Sequence, residues 1–302
     1  MSTVSENLSL GVLFAVGTSL CMSLAAALIK YTSAMVSIET IVFAQYLICV
    51  SVMIPWLLRN GFSALKTDYP GLHLVRGLSG WACFYCYYLA LNYVPLVDAA
   101  LLRNSAPLCV PVLLLLWKGI KIPGPRWLPV LIGLAGVLLI LKPGSEGLSF
   151  WHLVGFGSAI ALAGSMVTTR FLTLTEPNNR IIFYYFAIST LTAAPLALIN
   201  WQPIPTEAWL PLLLIGLSIW LVMWLYTQAY RYAKASVISP LNYLGVVFTG
   251  FWGWVFWQQI PDDMAIIGTV LVFAGGLLAM YLGREPQKES VADTTPPTEP
   301  KR

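Results

Sequence analysis

The sequence predicts an all-α integral membrane protein of ten transmembrane helices, arranged as two inverted five-helix repeats with both termini in the cytoplasm. The first repeat is predicted over 8–142 and the second over 151–283, followed by a disordered cytoplasmic tail over 284–302. Three observations lead to this fold class: the composition, the placement of basic residues and an internal repeat. Of the 302 residues, 58% are hydrophobic and 10% are charged, against roughly 45–50% and about 25% in soluble domains. This composition excludes a soluble globular protein.

Charged residues divide the chain into uncharged runs, and a helix needs about 20 residues to cross the hydrocarbon core of a bilayer. Runs of about this length lie at 7–29, 40–58, 77–97, 181–206, 208–230, 235–261 and 264–283. Two shorter runs, 104–117 and 127–141, and the run 147–169, which contains His152, complete the set. The first run lacks a basic leader and a small-residue cleavage site, so it is predicted to be a retained helix rather than a signal peptide.

The basic residues indicate the orientation of these helices. With a cytoplasmic N-terminus, 13 of the 17 Lys and Arg residues fall in cytoplasmic segments, whereas Lys30 and Lys142 face outward and Arg76 and Arg103 lie inside helices. The positive-inside rule therefore places both termini in the cytoplasm. Because topology accounts for the net charge of +4, no nucleic acid partner is predicted. The Pro- and Thr-rich tail has the composition of a disordered segment.

The chain repeats itself at a fixed offset, which pairs Trp81 with Trp220 and Gly136 with Gly275. Because five helices per repeat is an odd number, the second repeat enters the membrane from the opposite side. Inverted repeats of this kind are typical of secondary transporters, whose substrate site lies near the bilayer midplane between the repeats. The sequence thus predicts alternating access to a central site.

Polar and aromatic side chains on the predicted helix faces mark the candidate substrate site. On the fourth helix, 96–117, the residues Ala100, Arg103, Asn104 and Pro107 share one face. Aromatic rings near such a face suit a planar or cationic solute through stacking or cation–π contact. The predicted substrate-binding residues are Arg103, Asn104, Asn242, Tyr243, Trp81, Tyr85, Tyr88, Trp220, Trp224 and Gln228.

Arg103 is the most informative of these residues, because an arginine near a helix centre costs at least about 2.5–3.5 kcal/mol on insertion scales and seldom faces lipid. It binds a substrate carboxylate or phosphate, or it forms a structural ion pair with Asp98 or Glu39. These two carboxylates are also the candidates for coupling transport to a proton gradient. Arg76 is interpreted as a structural residue whose side chain reaches to the lipid headgroups.

The residue types needed for catalysis or metal binding are poorly represented. Gly77-Leu78-Ser79-Gly80 matches the G-x-S-G of rhomboid-type intramembrane proteases, which is the rival hypothesis from another class, but neither His73 nor His152 is placed to serve as a base for Ser79. All five cysteines lie in hydrophobic runs and behave as small apolar residues. We therefore predict no enzymatic activity, no metal and no cofactor. The expected partners are a small-molecule substrate and membrane lipids, with the chain a monomer or homodimer.

The segment YYLALNYVPLVDAALLRNSAPLCVPVL, followed by a short basic loop and LIGLAGVLLIL, resembles the EamA family of the drug/metabolite transporter superfamily. The resemblance covers roughly 8–283. It implies ten helices, inverted repeats, a central cavity and a multi-pass location in the cell (inner) membrane. It also implies export of amino acids or related metabolites as the most frequent activity. Other members move nucleobases, riboflavin, S-adenosylmethionine, carnitine or opine-type metallophores.

The leading prediction is a secondary transporter that exports an amino-acid-like or carboxylated metabolite, an opine- or nicotianamine-type metallophore being one specific form. The alternative within the same class is an importer of a metabolite such as S-adenosylmethionine, riboflavin or carnitine. Arg103 and Asn104 stand where many members of the resembled family carry small or apolar residues, and this difference favours an anionic or zwitterionic ligand.

Overall fold

The computed structural model describes residues 8–118, 127–141, 149–172, 175–232, 241, 244–260 and 262–282. Within these residues the regular structure is helical and no strand is formed. The hydrocarbon core offers no hydrogen-bond partners to a backbone, so apolar segments fold as helices that satisfy their own N–H and C=O groups.

The helices in chain order are α1 (Leu8–Thr32), α2 (Ile38–Asn60), α3 (Pro70–Tyr93), α4 (Leu96–Asn104), α5 (Ala106–Lys118), α6 (Trp127–Leu141), α7 (Phe150–Leu172), α8 (Asn178–Ile199), α9 (Thr206–Tyr232), α10 (Leu244–Trp257) and α11 (Asp263–Leu282), with a 3₁₀ turn at Phe62–Leu65. Among the described residues, five stretches are long and apolar enough to cross a membrane: Ser9–Thr32, Ile38–Asn60, Phe150–Thr169, Asn178–Ile199 and Thr206–Tyr226. The count of ten crossings and the orientation of the termini stay predictions.

The predicted fourth helix, 96–117, is interrupted in the structure, where Ser105 separates α4 from α5. Pro107 has no N–H to donate to the carbonyl of Arg103, so the helix cannot continue with a regular hydrogen-bond pattern. The Ser105 hydroxyl donates to the carbonyl of Leu102 at 2.5 Å, which satisfies one of the carbonyls at the end of α4. Arg103 therefore lies beside a helix break and not in a continuous helix.

The helices pack in pairs that correspond between the two halves of the chain. The helices α1, α2 and α3 of the first half are equivalent to α7, α8 and α9 of the second. Accordingly, α1 packs on α9 and α7 on α3, and α2 packs on α9 and α8 on α3. The pairs α2–α8 and α6–α11 pack on each other. Each of these packing pairs thus has a counterpart when the two halves are exchanged.

Two close glycine contacts occupy equivalent places in this arrangement. An added Cβ would lie 2.5 Å from the Ile188 side chain at Gly77 and 2.6 Å from the Ile48 side chain at Gly216. The two glycines are related by the offset of the internal repeat, and the two isoleucines by nearly the same offset. Small residues allow helix backbones to approach closely in a membrane, where packing rather than the hydrophobic effect holds helices together.

Tyr46 of α2 and Tyr185 of α8 meet at the centre of the bundle. They are separated by the offset of the internal repeat, and their buried hydroxyls are hydrogen-bonded at 3.0 Å. The Tyr46 hydroxyl in addition donates to the carbonyl of Gly80 on α3 at 3.3 Å. Equivalent side chains that contact each other lie close to the axis relating the two halves, so this pair marks the middle of the molecule.

Candidate functional site

Arg103 lies at the C-terminal end of α4, against the aromatic face of α3. Its guanidinium carbon is 5.1 Å from the ring centroid of Phe84 and 5.2 Å from that of Tyr87. The preceding residues Leu101 and Leu102 are fully buried, and the Nε atom of Arg103 is buried without a hydrogen-bond partner in the described part of the chain. The two rings stabilise the charge by cation–π contact, but they accept no strong hydrogen bond from it.

No described carboxylate neutralises Arg103. The ion pair with N–O distance within 4.0 Å that the described residues form joins Arg180 to Glu176, near the start of α8. Asp98 is buried in the first turn of α4, and Glu39 accepts a hydrogen bond from Tyr85. The pairing of Arg103 with Asp98 or Glu39, which the sequence left open, is therefore not formed in this conformation.

Arg76 points into the bundle, and the expectation that it reaches to the headgroups is wrong. Its Nη1 donates to the Ser165 hydroxyl of α7 at 2.6 Å, and its guanidinium carbon lies 4.1 Å from the ring centroid of Tyr185. Gly80, one turn further along α3, leaves the space for this conformation, because an added Cβ there would lie 2.8 Å from Nη1. A hydrogen-bond acceptor and an aromatic face are thus available inside the protein, and the Cys83 thiol lies within electrostatic range of both arginines.

Trp81, Tyr85 and Glu39 form a continuous group on the other side of α3. The rings of Trp81 and Tyr85 are stacked with centroids 5.3 Å apart and planes 9° apart. The Tyr85 hydroxyl donates to the Glu39 carboxylate of α2 at 2.9 Å. Trp81 Nε1 is buried and has no hydrogen-bond partner among the described residues. The structure thus brings two predicted substrate contacts together with one predicted proton-coupling residue.

Two other residues predicted to contact the substrate form hydrogen bonds within the protein instead. Tyr88 is fully buried and its hydroxyl donates to the Gln45 side-chain oxygen in a short hydrogen bond. The Asn104 amide donates to the carbonyl of Ala100, one turn back in α4, at 2.8 Å. Both side chains are hydrogen-bonded within the protein in this conformation, and a substrate contact would require these hydrogen bonds to rearrange.

The predicted contacts of the second half lie on α9. Trp220 is half-buried and packs against the core, whereas Trp224 is 44% exposed and meets Phe14 of α1 edge-to-face at 5.9 Å. Gln228 is half-buried one turn further along. Asn242 and Tyr243 lie outside the described residues.

A polar network joins the segment between α2 and α3 to the start of α8, at the end of the bundle predicted to be cytoplasmic. The Glu176 carboxylate accepts hydrogen bonds from Thr67 and Arg180, each at 2.5 Å. Arg180 Nε also donates to the carbonyl of Ala64 at 2.6 Å, and the Tyr184 hydroxyl donates to that of Leu65 at 2.7 Å. Burial raises the pKa of Glu176, but these hydrogen bonds and the Arg180 charge outweigh it, so the pKa lies below its ordinary value.

Glu176→Gln is expected to loosen this attachment at neutral pH, where the lowered pKa keeps the native carboxylate ionised; the native contact would be lost only as the pH falls through that pKa. A thiol introduced as Leu65→Cys should react roughly tenfold faster with a membrane-impermeant maleimide, as expected for the loss of about 1.5 kcal/mol of charge-assisted hydrogen bonding. Glu207→Gln, at the exposed start of α9, is the matched control. Equal labelling rates in both variants would contradict a role for Glu176 in attaching the segment between α2 and α3.

A pocket of about 360 Å³ opens beside this network, and neither Arg76 nor Arg103 lines it. It is lined by Trp56, Asn60, Ala64, Pro177, Asn178, Asn179 and Arg180. None of the predicted substrate contacts lines it, so it is a surface depression of the network and not the predicted site. In the described part of the chain, no three His, Cys, Asp or Glu side chains come together as metal ligands.

Sequence reasoning missed the inward direction of Arg76 and its contacts with Ser165 and Tyr185. One signal was present: Gly80 follows Arg76 at i+4, the spacing at which a glycine opens room for a long side chain on the same face of a helix. The offset of the internal repeat also relates Tyr46 to Tyr185. Neither signal identifies the helix that supplies the opposite partner.

The model of the EamA-like transporter family matches residues 9–142 and 149–281. The pseudopaline exporter CntI of Pseudomonas aeruginosa (strain UCBPP-PA14) is 34% identical over 271 residues, covering 89% of this chain and 95% of the relative. A riboflavin transporter of Rhizobium johnstonii is 29% identical over 245 residues, covering 79% of each chain. An S-adenosylmethionine uptake transporter of Rickettsia bellii is 24% identical over 263 residues, covering 87% of this chain and 90% of the relative.

One solved structure superposes with a TM-score of 0.62 at 19% identity, covering 92% of this chain and 99% of the other, and this likeness shows the fold alone. The family and the three relatives are transporters and not enzymes, so the rhomboid-type hypothesis is set aside. The apolar helices and the family match together make the chain a multi-pass membrane protein. The chain belongs to the EamA-like transporter family.

Proposed function

We propose that the protein exports a carboxylated, amino-acid-like metabolite across the cell (inner) membrane by alternating access between the halves 8–142 and 151–283. Both termini lie in the cytoplasm in this proposal. The packing contacts exchanged between the two halves support it, because rocking of one half against the other needs two similar units around a shared centre.

The observation that carries the proposal is the uncompensated charge of Arg103. A cation inside a membrane protein is normally paired with an acidic group or hydrogen-bonded, and one without an anionic partner is unfavourable there. The contacts with Phe84 and Tyr87 leave the guanidinium donors without an anionic acceptor among the described residues. A substrate carboxylate would supply that acceptor with two parallel hydrogen bonds.

Similarity supports a carboxylated metabolite and export. The relative at 34% identity is named as an exporter of pseudopaline, so an opine-type metallophore is the specific form of substrate that we propose. The uptake transporter for S-adenosylmethionine and the riboflavin transporter support the second candidate, an importer that would hold a planar group against the Trp81–Tyr85 stack.

Metabolite profiling of cells and medium tests the proposal directly. Cells without the gene are compared with cells in which it is restored unchanged or with Arg103→Ala. Export predicts that a carboxylated compound accumulates inside the deletion strain and disappears from its medium. The strain that carries Arg103→Ala is expected to show the same distribution. A compound whose level instead falls inside the deletion strain and stays high in its medium would establish import. If the level of no solute changes, the carrier assignment is refuted.

Glu39 is our candidate for proton coupling, together with the buried Asp98. A coupling carboxylate must exchange its proton when the substrate site changes sides, and the hydrogen bond from Tyr85 connects Glu39 to the Trp81 face. We expect Glu39→Gln to abolish uphill transport driven by a pH gradient while substrate exchange at equal pH continues. Both activities are measured in proteoliposomes, with Glu207→Gln as the exposed control. Uphill transport by the Glu39 variant would exclude this role.

A further inference from the structure

Arg76 is a second half-buried cation, and both it and Arg103 lie within electrostatic range of the Cys83 thiol. We propose that both arginines contact the solute, which therefore carries two separate carboxylates. This inference rests on the proposed function, since it names the class of compound that the transporter takes: a dicarboxylate rather than an amino acid with a single acid group.

The contacts of Arg76 leave its buried Nε without a hydrogen-bond partner among the described residues. A guanidinium has five N–H donors, and the described contacts of Arg76 are one hydrogen bond to Ser165 and the face of Tyr185. Its Nε is buried without a partner in the described part of the chain, as is the Nε of Arg103. Buried polar atoms are seldom left unsatisfied, so the two Nε atoms call for an acceptor that the described residues do not supply.

The two charges are not features of the shared scaffold. At the offset of the internal repeat, Arg76 corresponds to Ile215, which is fully buried on α9, and Arg103 corresponds to Asn242. The second half of the sequence thus carries neither cation at the equivalent positions. Two like charges inside one bundle also repel each other. The presence of both arginines in the first half therefore calls for a compensating negative charge.

The two arginines contact different halves of the protein. Arg103 rests on two rings of α3, within the first half, whereas Arg76 reaches from α3 to Ser165 and Tyr185 of the second half. A solute with one carboxylate would neutralise one cation and leave the other buried and unpaired. A dicarboxylate neutralises both, and this difference gives the site its selectivity.

A binding comparison tests the inference on the purified full chain in detergent. The probes are the compound recovered from the medium of wild-type cells and its monomethyl ester, and acid groups are counted by mass spectrometry after esterification. The wild type should bind the diacid roughly 10-fold to 100-fold more tightly than the monoester. Arg76→Gln should bind both probes alike, with its melting temperature without ligand unchanged. Arg59→Gln, at the exposed end of α2, should behave as the wild type.

The outcomes separate this inference from the proposed function. An exported compound with a single acid group, or an Arg76→Gln variant that keeps the preference for the diacid, would overturn the second contact and leave the exporter assignment intact. If no compound depends on the gene in the profiling experiment, both fall together. Should Arg76→Gln fail to fold, Arg76→Lys, which keeps the charge, is expected to retain part of the preference. A lysine variant with the full preference of the wild type would also overturn the proposal.

Discussion

Replacing Arg103 with alanine is expected to reduce transport by at least about 30-fold. Truncating one partner of a buried, hydrogen-bonded charge pair costs about 2–5 kcal/mol, and 2 kcal/mol corresponds to a factor of about 30 in affinity or rate. Arg103→Lys should retain more activity than Arg103→Ala, because it keeps the charge but loses the planar guanidinium that lies over Phe84 and Tyr87. Initial rates in inside-out vesicles measure both variants.

The stability of the Arg103 variant separates a substrate contact from a structural one. Removing a half-buried cation that lacks a described acidic partner relieves an unfavourable charge, so the melting temperature of Arg103→Ala in detergent should stay unchanged or rise. Loss of a structural ion pair would lower it instead. Arg59→Ala, which removes an exposed arginine at the end of α2, is the control for net charge. Full transport by Arg103→Ala would exclude the proposed site.

Gly136→Ala is expected to cause the largest loss of stability of any single methyl group added in α6. An added Cβ would lie 2.6 Å from the carbonyl oxygen of Gly268 and 2.8 Å from the backbone N of Val272 on α11. These are backbone atoms and cannot rotate away, so α6 and α11 must separate. Overpacking of this kind costs about 1–3 kcal/mol, and the equivalent Gly275, whose Cβ would lie 2.6 Å from the backbone N of Gly133, should respond alike.

The measurement is the apparent melting temperature and the monodisperse fraction of each variant in mild detergent. Gly157→Ala on α7 is the matched control, because an added Cβ there meets nothing within 4 Å. Alanine is the better helix former by up to about 1 kcal/mol, so this control should be neutral or slightly more stable. If Gly136→Ala and Gly157→Ala have the same melting temperature, the close crossing of α6 and α11 is wrong.

The positions of most helices could be predicted from the sequence, because the bilayer makes apolar length and backbone hydrogen bonding local requirements. The uncharged run 40–58 lies within the observed Ile38–Asn60, and 127–141 coincides with Trp127–Leu141. The interruption at Ser105 was missed, although Pro107 was noted, since a proline in a helix can be absorbed by a bend or can separate two helices.

The chemical character of the proposed site was also suggested by the sequence. Arg103 stands out because a cation inside an apolar run is costly wherever the helix lies. The family could be recognised from residues near α3, α4 and α6, and the family match covers 9–142 and 149–281. Substrate and direction were not contained there, because such residues maintain the scaffold that exporters and importers share.

The sequence by itself determined the apolar helices, the internal repeat and the presence of two arginines inside the helices. Only the tertiary structure decided that Arg76 turns inward to Ser165 and Tyr185, and that Tyr46 meets Tyr185. The reason is physical: helix formation depends on neighbours within a few residues and on the bilayer, whereas the direction of a long side chain depends on the space and the partners that a distant helix provides.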